Sequence, residues 1–162
     1  ISKYGISKRE GEKRVMAVGG TYYIIRLSKL FGKPATSALG KKSFFEKMIE
    51  VAVDTKAVTA VDDEKSCFTY APDLAQVTRE LIEGSAESGI YHLANEGAAT
   101  WYEAVGELFK IAGTDVVVKA VSADAFPRPA RRPHASVLLN TKFIPLRPYT
   151  EALREFVKER TA

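Results

Sequence analysis

The order helix, glycine stop, apolar strand, turn in residues 2–32 admits few folds. Residues from about Ser2 to Val18 read as a helix, and Gly19-Gly20 ends it, as glycines commonly do at helix termini. Thr21-Tyr22-Tyr23-Ile24-Ile25-Arg26-Leu27 follows, rich in β-formers and with little alternation. A strand open to water on one face alternates. A run without alternation suits a strand covered on both faces, as in a parallel sheet. Helix followed by buried strand is the back half of a βαβ unit. Ser28-Lys29-Leu30-Phe31-Gly32 is then the turn leaving the strand's carboxyl end, where open α/β sheets collect ligands.

The remaining chain alternates helices and short strands. Residues 33–41 hold Pro34, Gly40 and several small residues and read as a mobile surface loop. Ser43-Phe44-Phe45-Glu46 has the form of a capping box, with apolar residues at helical spacing to Ala52. Residues 57–61 read as a strand and Asp62-Asp63-Glu64-Lys65 as a polar loop. Pro72 and Asp73 open a helix that runs to Gly84. Ile90-Tyr91-His92-Leu93 is strand-like, and His92, among apolar neighbours, reads as a structural histidine. Thr100-Trp101-Tyr102-Glu103 is a second capping box, with Gly113 as the stop of its helix and Trp101 as a core or interface residue. Val116 to Val121 is another strand. Pro127, Pro129 and Pro133 exclude a regular element from 123–133. Thr150 is expected to cap a last amphipathic helix.

Composition narrows the function classes. The chain has 162 residues, 46% hydrophobic and 27% charged, ordinary for a soluble globular domain. No apolar run approaches the roughly 20 residues that span a bilayer. Cys67 is the only cysteine, so a reduced, cytoplasmic setting is the expectation, with no intrachain disulfide and no cysteine-rich metal site. His92 and His134 lack zinc-type spacing, and no metal is expected. The net charge of +4 is modest, and the Arg128, Arg131, Arg132 cluster is too small to argue for nucleic acid.

Catalytic chemistry is suggested at the start of the chain. Tyr4 and Lys8 stand four apart, which on a helix puts them on one face, roughly 5–6 Å apart at Cβ. An ammonium held beside a phenol favours the phenolate, and such a tyrosine can pass a proton to a carbonyl oxygen. Spacing by itself does not separate this arrangement from a solvated helix face.

Longer stretches carry a resemblance. Tyr4-Gly5-Ile6-Ser7-Lys8, continuing to Gly11-Glu12, resembles the catalytic helix of extended short-chain dehydrogenase/reductases. Thr69 to Ala75, Tyr91 to Gly97, Arg132 to Ser136 and Leu146 to Glu155 resemble, in order, segments of dTDP-4-dehydrorhamnose reductases. The resemblance implies an α/β fold: an incomplete Rossmann-type parallel sheet, its last βα elements, plus a small α/β substrate-binding domain. Residues 1–36 would end the NAD(P)-binding domain. Residues 37–162 would form a mixed substrate-binding region, with 57–84 free to return to the Rossmann domain. It also implies that a nucleotide-binding half precedes Ile1, since no glycine-rich phosphate fingerprint follows a strand here.

By that resemblance Tyr4 is the general acid and Lys8 its partner, which also bonds the cofactor ribose. Arg26 and Ser28 would meet the cofactor, NADPH or NADH. Lys29, Thr69, Tyr70, Arg132 and Ser136 would meet a nucleotide-sugar. Arg132 is the first choice for its diphosphate, by guanidinium fork geometry, and Arg131 the second. The resemblance leaves room for a homodimer. Two departures stand out: Lys29 replaces an aromatic, commonly Trp, and Phe68 replaces Pro. They leave open a related nucleotide-sugar epimerase, or a reductase-like regulatory or nucleotide-sugar-binding subunit without turnover.

Overall fold

The computed structural model describes residues 2–33, 37, 40–130 and 132–161. In chain order the elements are α1 (Lys3–Val18), β1 (Tyr23–Arg26), β2 (Leu30–Phe31), α2 (Phe44–Thr55), β3 (Ala57–Val61), β4 (Lys65–Cys67), β5 (Thr69–Tyr70), α3 (Ala71–Glu83), β6 (Gly89–His92), β7 (Asn95–Glu96), β8 (Ala98–Ala99), α4 (Trp101–Ala112), β9 (Val117–Val121), β10 (Ala135–Ser136), β11 (Leu146–Pro148) and α5 (Tyr149–Thr161). The fold is mixed α/β with short, mostly parallel strand pairs. β1 lies beside β6 and β3 beside β9, both parallel. β2 pairs with β5 and β11 with β7, also parallel, while β4 sits between parallel β10 and antiparallel β8.

Local signals explain where the helices begin and end. The Ser2 hydroxyl accepts from the Gly5 amide at the start of α1. Gly19 and Gly20 leave α1 at φ 76° and 74°, left-handed values that a side chain opposes. At α2 the capping box is complete: the Ser43 hydroxyl accepts from the Glu46 amide, and the Glu46 carboxylate accepts from the Ser43 amide. Glu46 is buried and also receives Arg160 from α5 at 3.3 Å, so the cap ties two helices together. Ser43→Ala is expected to cost about 1 kcal/mol, read as a lower urea midpoint at unchanged m-value.

Two apolar clusters hold the fold. The larger joins α2, α4 and α5 around Phe31, Phe45, Phe68, Tyr70 and Phe156. Phe31 meets Phe45 edge-on at 5.0 Å and Phe156 at 5.8 Å. The smaller packs Val77 and Leu81 of α3 on Tyr91 and Leu93, with Tyr23 and Ile25 of β1 against them.

Several expectations need correction. β1 is not covered on both faces: Tyr23, Ile24 and Ile25 are half-buried and Arg26 is exposed. Its one pairing partner among the described residues is β6, and a cleft of about 880 Å³ separates it from α1. Within 57–84, α3 packs with β1 and β6 in the smaller cluster, and β3 pairs with β9 in the larger one. The turn after β1 contains β2, and a single 3-10 turn, Ala123–Ala125, opens the proline-rich segment. Thr150 lies within the first turn of α5, which starts at Tyr149. Part of the 33–41 loop lies outside the described residues.

Candidate functional site

The cleft beneath α1 is the first place where the expected residues meet. Tyr4, Lys8, Glu12 and Met16 line one wall, and Ile25, Arg26 and Leu27 the other, with Ile90 and Leu138 completing it. These α1 residues recur at intervals of four, so they form one stripe of the helix. Tyr4 is 72% exposed, and the Lys8 ammonium lies 5.4 Å from its ring centre. Arg26 clasps α1 to the strand: its guanidinium donates twice to the Glu12 carboxylate, at 2.8 and 2.6 Å. Those bonds hold the Glu12 carboxyl below its usual range. The same guanidinium lies 3.5 Å from His92 Nε2. Arg26, expected at a cofactor, thus lines the cleft while bridging β1 to α1 through Glu12.

A second, smaller pocket of about 160 Å³ continues from the exit of β1. Leu27 lines the cleft and Ser28 the pocket. Opposite them, Leu138 lines the cleft and Ser136 the pocket. The pocket is completed by Lys29, Glu64, Ser66, Trp101, Arg132 and Pro133. Four of the expected site residues therefore converge here: Ser28, Lys29, Arg132 and Ser136.

Thr69 and Tyr70, expected at the sugar, stand behind the wall. Both are fully buried. The Thr69 hydroxyl donates to the Ser28 carbonyl at 2.6 Å, and its amide donates to the Lys29 carbonyl at 3.2 Å. The Tyr70 hydroxyl donates to Glu159, and burial pushes this phenol well above its ordinary pKa. Each is consumed by protein contacts that place the pocket's residues. Arg131 lies outside the described residues.

Glu64, Ser66 and Trp101 are pocket residues that the sequence did not announce. Glu64 lies in the segment read as a polar loop and is 6% exposed. Its carboxylate accepts from Arg128 at 3.0 and 3.3 Å and from Trp101 Nε1 at 3.2 Å. Trp101 is part of the core, packed on Phe44 at 4.2 Å and edge-on to Phe68 at 5.4 Å, and one side of it also faces the pocket. No local pattern marks either role, because both arise from residues distant in sequence. His134 is exposed, with Nδ1 2.9 Å from the Asp63 carbonyl.

Lys29 has the least ordinary environment. Its ammonium lies 3.8 Å from the Trp101 ring centre and 4.8 Å from that of Phe68, and donates to the Glu64 carbonyl at 3.4 Å. Burial pushes its pKa down to about 8 from 10.5. The folded chain therefore holds this proton less firmly than the unfolded one, so Lys29 weighs against folding at neutral pH, and the penalty fades as pH rises from about 8 to 10.5. Aromatic contact with the cation returns part of it. Lys29 is only partly buried, so solvent screens much of the remainder, and Lys29→Met is expected to stabilise the fold by about 1 kcal/mol at pH 7. Urea melts should show that gain shrinking by pH 10.

No group of three or more His, Cys, Asp or Glu that could hold a metal occurs among the described residues, and none of their helices is long and apolar enough to cross a membrane. Cys67 is buried, with its thiol 3.4 Å from the Leu138 carbonyl.

The chain is similar to known proteins along its whole length. The RmlD substrate binding domain matches residues 1–162. A dTDP-4-dehydrorhamnose reductase of Streptomyces griseus is 36% identical over 94% of this chain and 52% of its own length. Another, of Mycolicibacterium smegmatis, is 30% identical over 97% of this chain and 48% of its own length. The chain thus spans about half the length of these relatives. A crystal structure of dTDP-4-dehydrorhamnose reductase from Bacillus anthracis in complex with NADP superposes with a TM-score of 0.87 at 30% identity, covering 96% of this chain and 55% of that one. The Clostridium acetobutylicum orthologue gives 0.88 at 32% identity, covering 99% and 56%. With its whole length matched and its fold shared, the chain belongs to the RmlD substrate-binding domain family of dTDP-4-dehydrorhamnose reductases.

Proposed function

We propose that this chain supplies the proton-donating pair and the sugar pocket of an NAD(P)H-dependent reductase that converts dTDP-4-dehydro-L-rhamnose to dTDP-L-rhamnose. The observation that carries this reading is the nearness of two sites: Leu27 and Leu138 line the cleft that holds Tyr4 and Lys8, and their chain neighbours Ser28 and Ser136 line a pocket of glycosyl size. The reaction class comes from relatives named as dTDP-4-dehydrorhamnose reductases.

In this reading the Tyr4 hydroxyl donates its proton to the 4-keto oxygen as that oxygen becomes a hydroxyl. The Lys8 ammonium is the neighbouring cation, with N–H groups to spare for a ribose diol. Arg26 keeps α1 at its distance from β1 through Glu12. Lys29, Ser136 and Arg132 hold the glycosyl and phosphate groups, and Trp101 walls the pocket against water.

A nicotinamide nucleotide fits these residues at one end. Phenol and ammonium side by side in an open cleft suit the ribose nearest the reacting ring. When bound, such a nucleotide supplies the hydride. Its pyrophosphate calls for a strand, a glycine-rich turn and a helix amino terminus in that order. That order is not found among the described residues, where Gly19 and Gly20 end a helix and precede a strand. The 162-residue chain alone is therefore expected to give no turnover.

The test is NADPH or NADH oxidation with dTDP-4-dehydro-L-rhamnose, on the chain alone and on the full-length protein. Saturable turnover to dTDP-L-rhamnose by the full-length protein supports the reading, and its absence with both nucleotides refutes it. Robust turnover by the chain alone would overturn the incomplete cofactor site.

A further inference from the structure

We propose that Ser66, paired with Ser136, is a specificity-determining residue of the small pocket, and that the two hydroxyls select a neutral sugar ring bearing two adjacent hydroxyls over a ring lacking either one. The inference rests on the reading of this pocket as a nucleotide-sugar site, and deepens it.

Three observations carry it. The first is register. Ser66 is the middle residue of β4 and stands directly opposite Ser136 of β10 in their parallel pairing. Residues opposite one another on neighbouring strands share a face of the sheet, with the strands roughly 4.8 Å apart, and both serines line the pocket. On its other side Ser66 stands opposite Ala99 of β8, which brings no polar side chain. Backbone pairing thus fixes two hydroxyls side by side at one wall.

The second is unmet hydrogen bonding. Ser66 is 1% exposed, and the bond its hydroxyl makes among the described residues is a donation to the Cys67 carbonyl at 3.5 Å, the outer edge of hydrogen-bond distance. The Ser136 hydroxyl has no partner among the described residues. The nearby carboxylate of Glu64 is taken by Arg128 and Trp101. A hydroxyl carries one donor and two acceptor sites, and burying it without a partner is costly. A ligand hydroxyl set against Ser66 would remove that cost.

The third is the match of charge and size. The cations of the pocket, Lys29 and Arg132, suit a diphosphate, which leaves the uncharged serines for an uncharged ring. About 160 Å³ holds one sugar ring and its substituents, not a nucleoside. Reduction of a 4-keto group leaves the 2- and 3-hydroxyls untouched, so the adjacent pair is present in substrate and product alike.

The test is calorimetric binding of dTDP-L-rhamnose and of its 2-deoxy and 3-deoxy forms by the chain and by Ser66→Ala. One hydrogen bond to each hydroxyl predicts that the chain binds dTDP-L-rhamnose about five- to tenfold tighter than either deoxy form. In Ser66→Ala one of these two preferences falls to about one, and the other persists through Ser136. The deoxy forms probe the unaltered chain, so that arm stands even where a thermal melt shows Ser66→Ala unfolded. Equal binding of either deoxy form by the unaltered chain refutes the inference alone, because a pair is then not read. So does a folded Ser66→Ala that keeps both preferences or loses both. No binding of dTDP-L-rhamnose refutes both this inference and the reading beneath it.

Discussion

If the proposed reductase reading holds, Tyr4→Phe, made in a protein that joins this chain to a nucleotide-binding half, is expected to lower kcat by about 10²–10⁴-fold with KM for the nucleotide-sugar little changed. The substitution removes one oxygen and nothing else. Tyr4 is 72% exposed and supports no core packing, so stability should move by less than about 0.5 kcal/mol. A large kinetic loss without a stability loss isolates the proton-donating role. Steady-state kinetics with NADPH, alongside a thermal melt, decide it. If the protein is instead a regulatory or binding subunit, its function survives the change. Unaltered reductase turnover in Tyr4→Phe would remove the phenol from the mechanism altogether.

Asn95→Ala should produce the largest loss of stability, about 3–4 kcal/mol. The Asn95 side chain is 1% exposed and serves three partners. Its oxygen accepts from the Tyr70 amide at 2.7 Å, and its nitrogen donates to Asp73 at 2.6 Å and to the Arg147 carbonyl at 3.0 Å. Alanine leaves all three facing a void too small to hydrate each of them. Against a typical total of about 5–15 kcal/mol, this is a major fraction. The damage should also reach the pocket. Tyr70 ends β5, whose other residue is Thr69, and Thr69 holds Ser28 and Lys29 in place. Urea unfolding measures the first effect and dTDP-glucose binding the second. Asn95→Asp is the control, because it retains the acceptor for the Tyr70 amide while setting a carboxylate against Asp73. A midpoint for Asn95→Ala within 0.5 kcal/mol (about the scatter of surface changes) would show that this network is dispensable.

Most helix signals in the sequence translated directly into structure. Ser43 and Thr100 accept the backbone bonds expected of caps, and Gly19 and Gly113 end their helices at positive φ, whereas Thr150, expected as a cap, lies inside the first turn of α5. The Tyr4–Lys8 spacing put both side chains in one cleft for the same reason, the rise and turn of a single helix. Ser28, Lys29, Arg132 and Ser136 were named from segment resemblance and meet in one pocket. Thr69 and Tyr70 came from the same resemblance but lie behind that pocket, since short strands alternate and pair in ways that a motif does not encode.

By itself, then, the sequence determined what acts within about four residues: where helices start, where they stop, and which side chains share a helix face. The tertiary structure decided the environment of each charge. Glu64 is buried because Arg128, 64 positions away, and Trp101, 37 positions away, converge on its carboxylate. Lys29 is desolvated because the Trp101 and Phe68 rings close over it. Capping and backbone terms are local, whereas desolvation is a property of everything packed around a group, and only the folded chain assembles that surrounding.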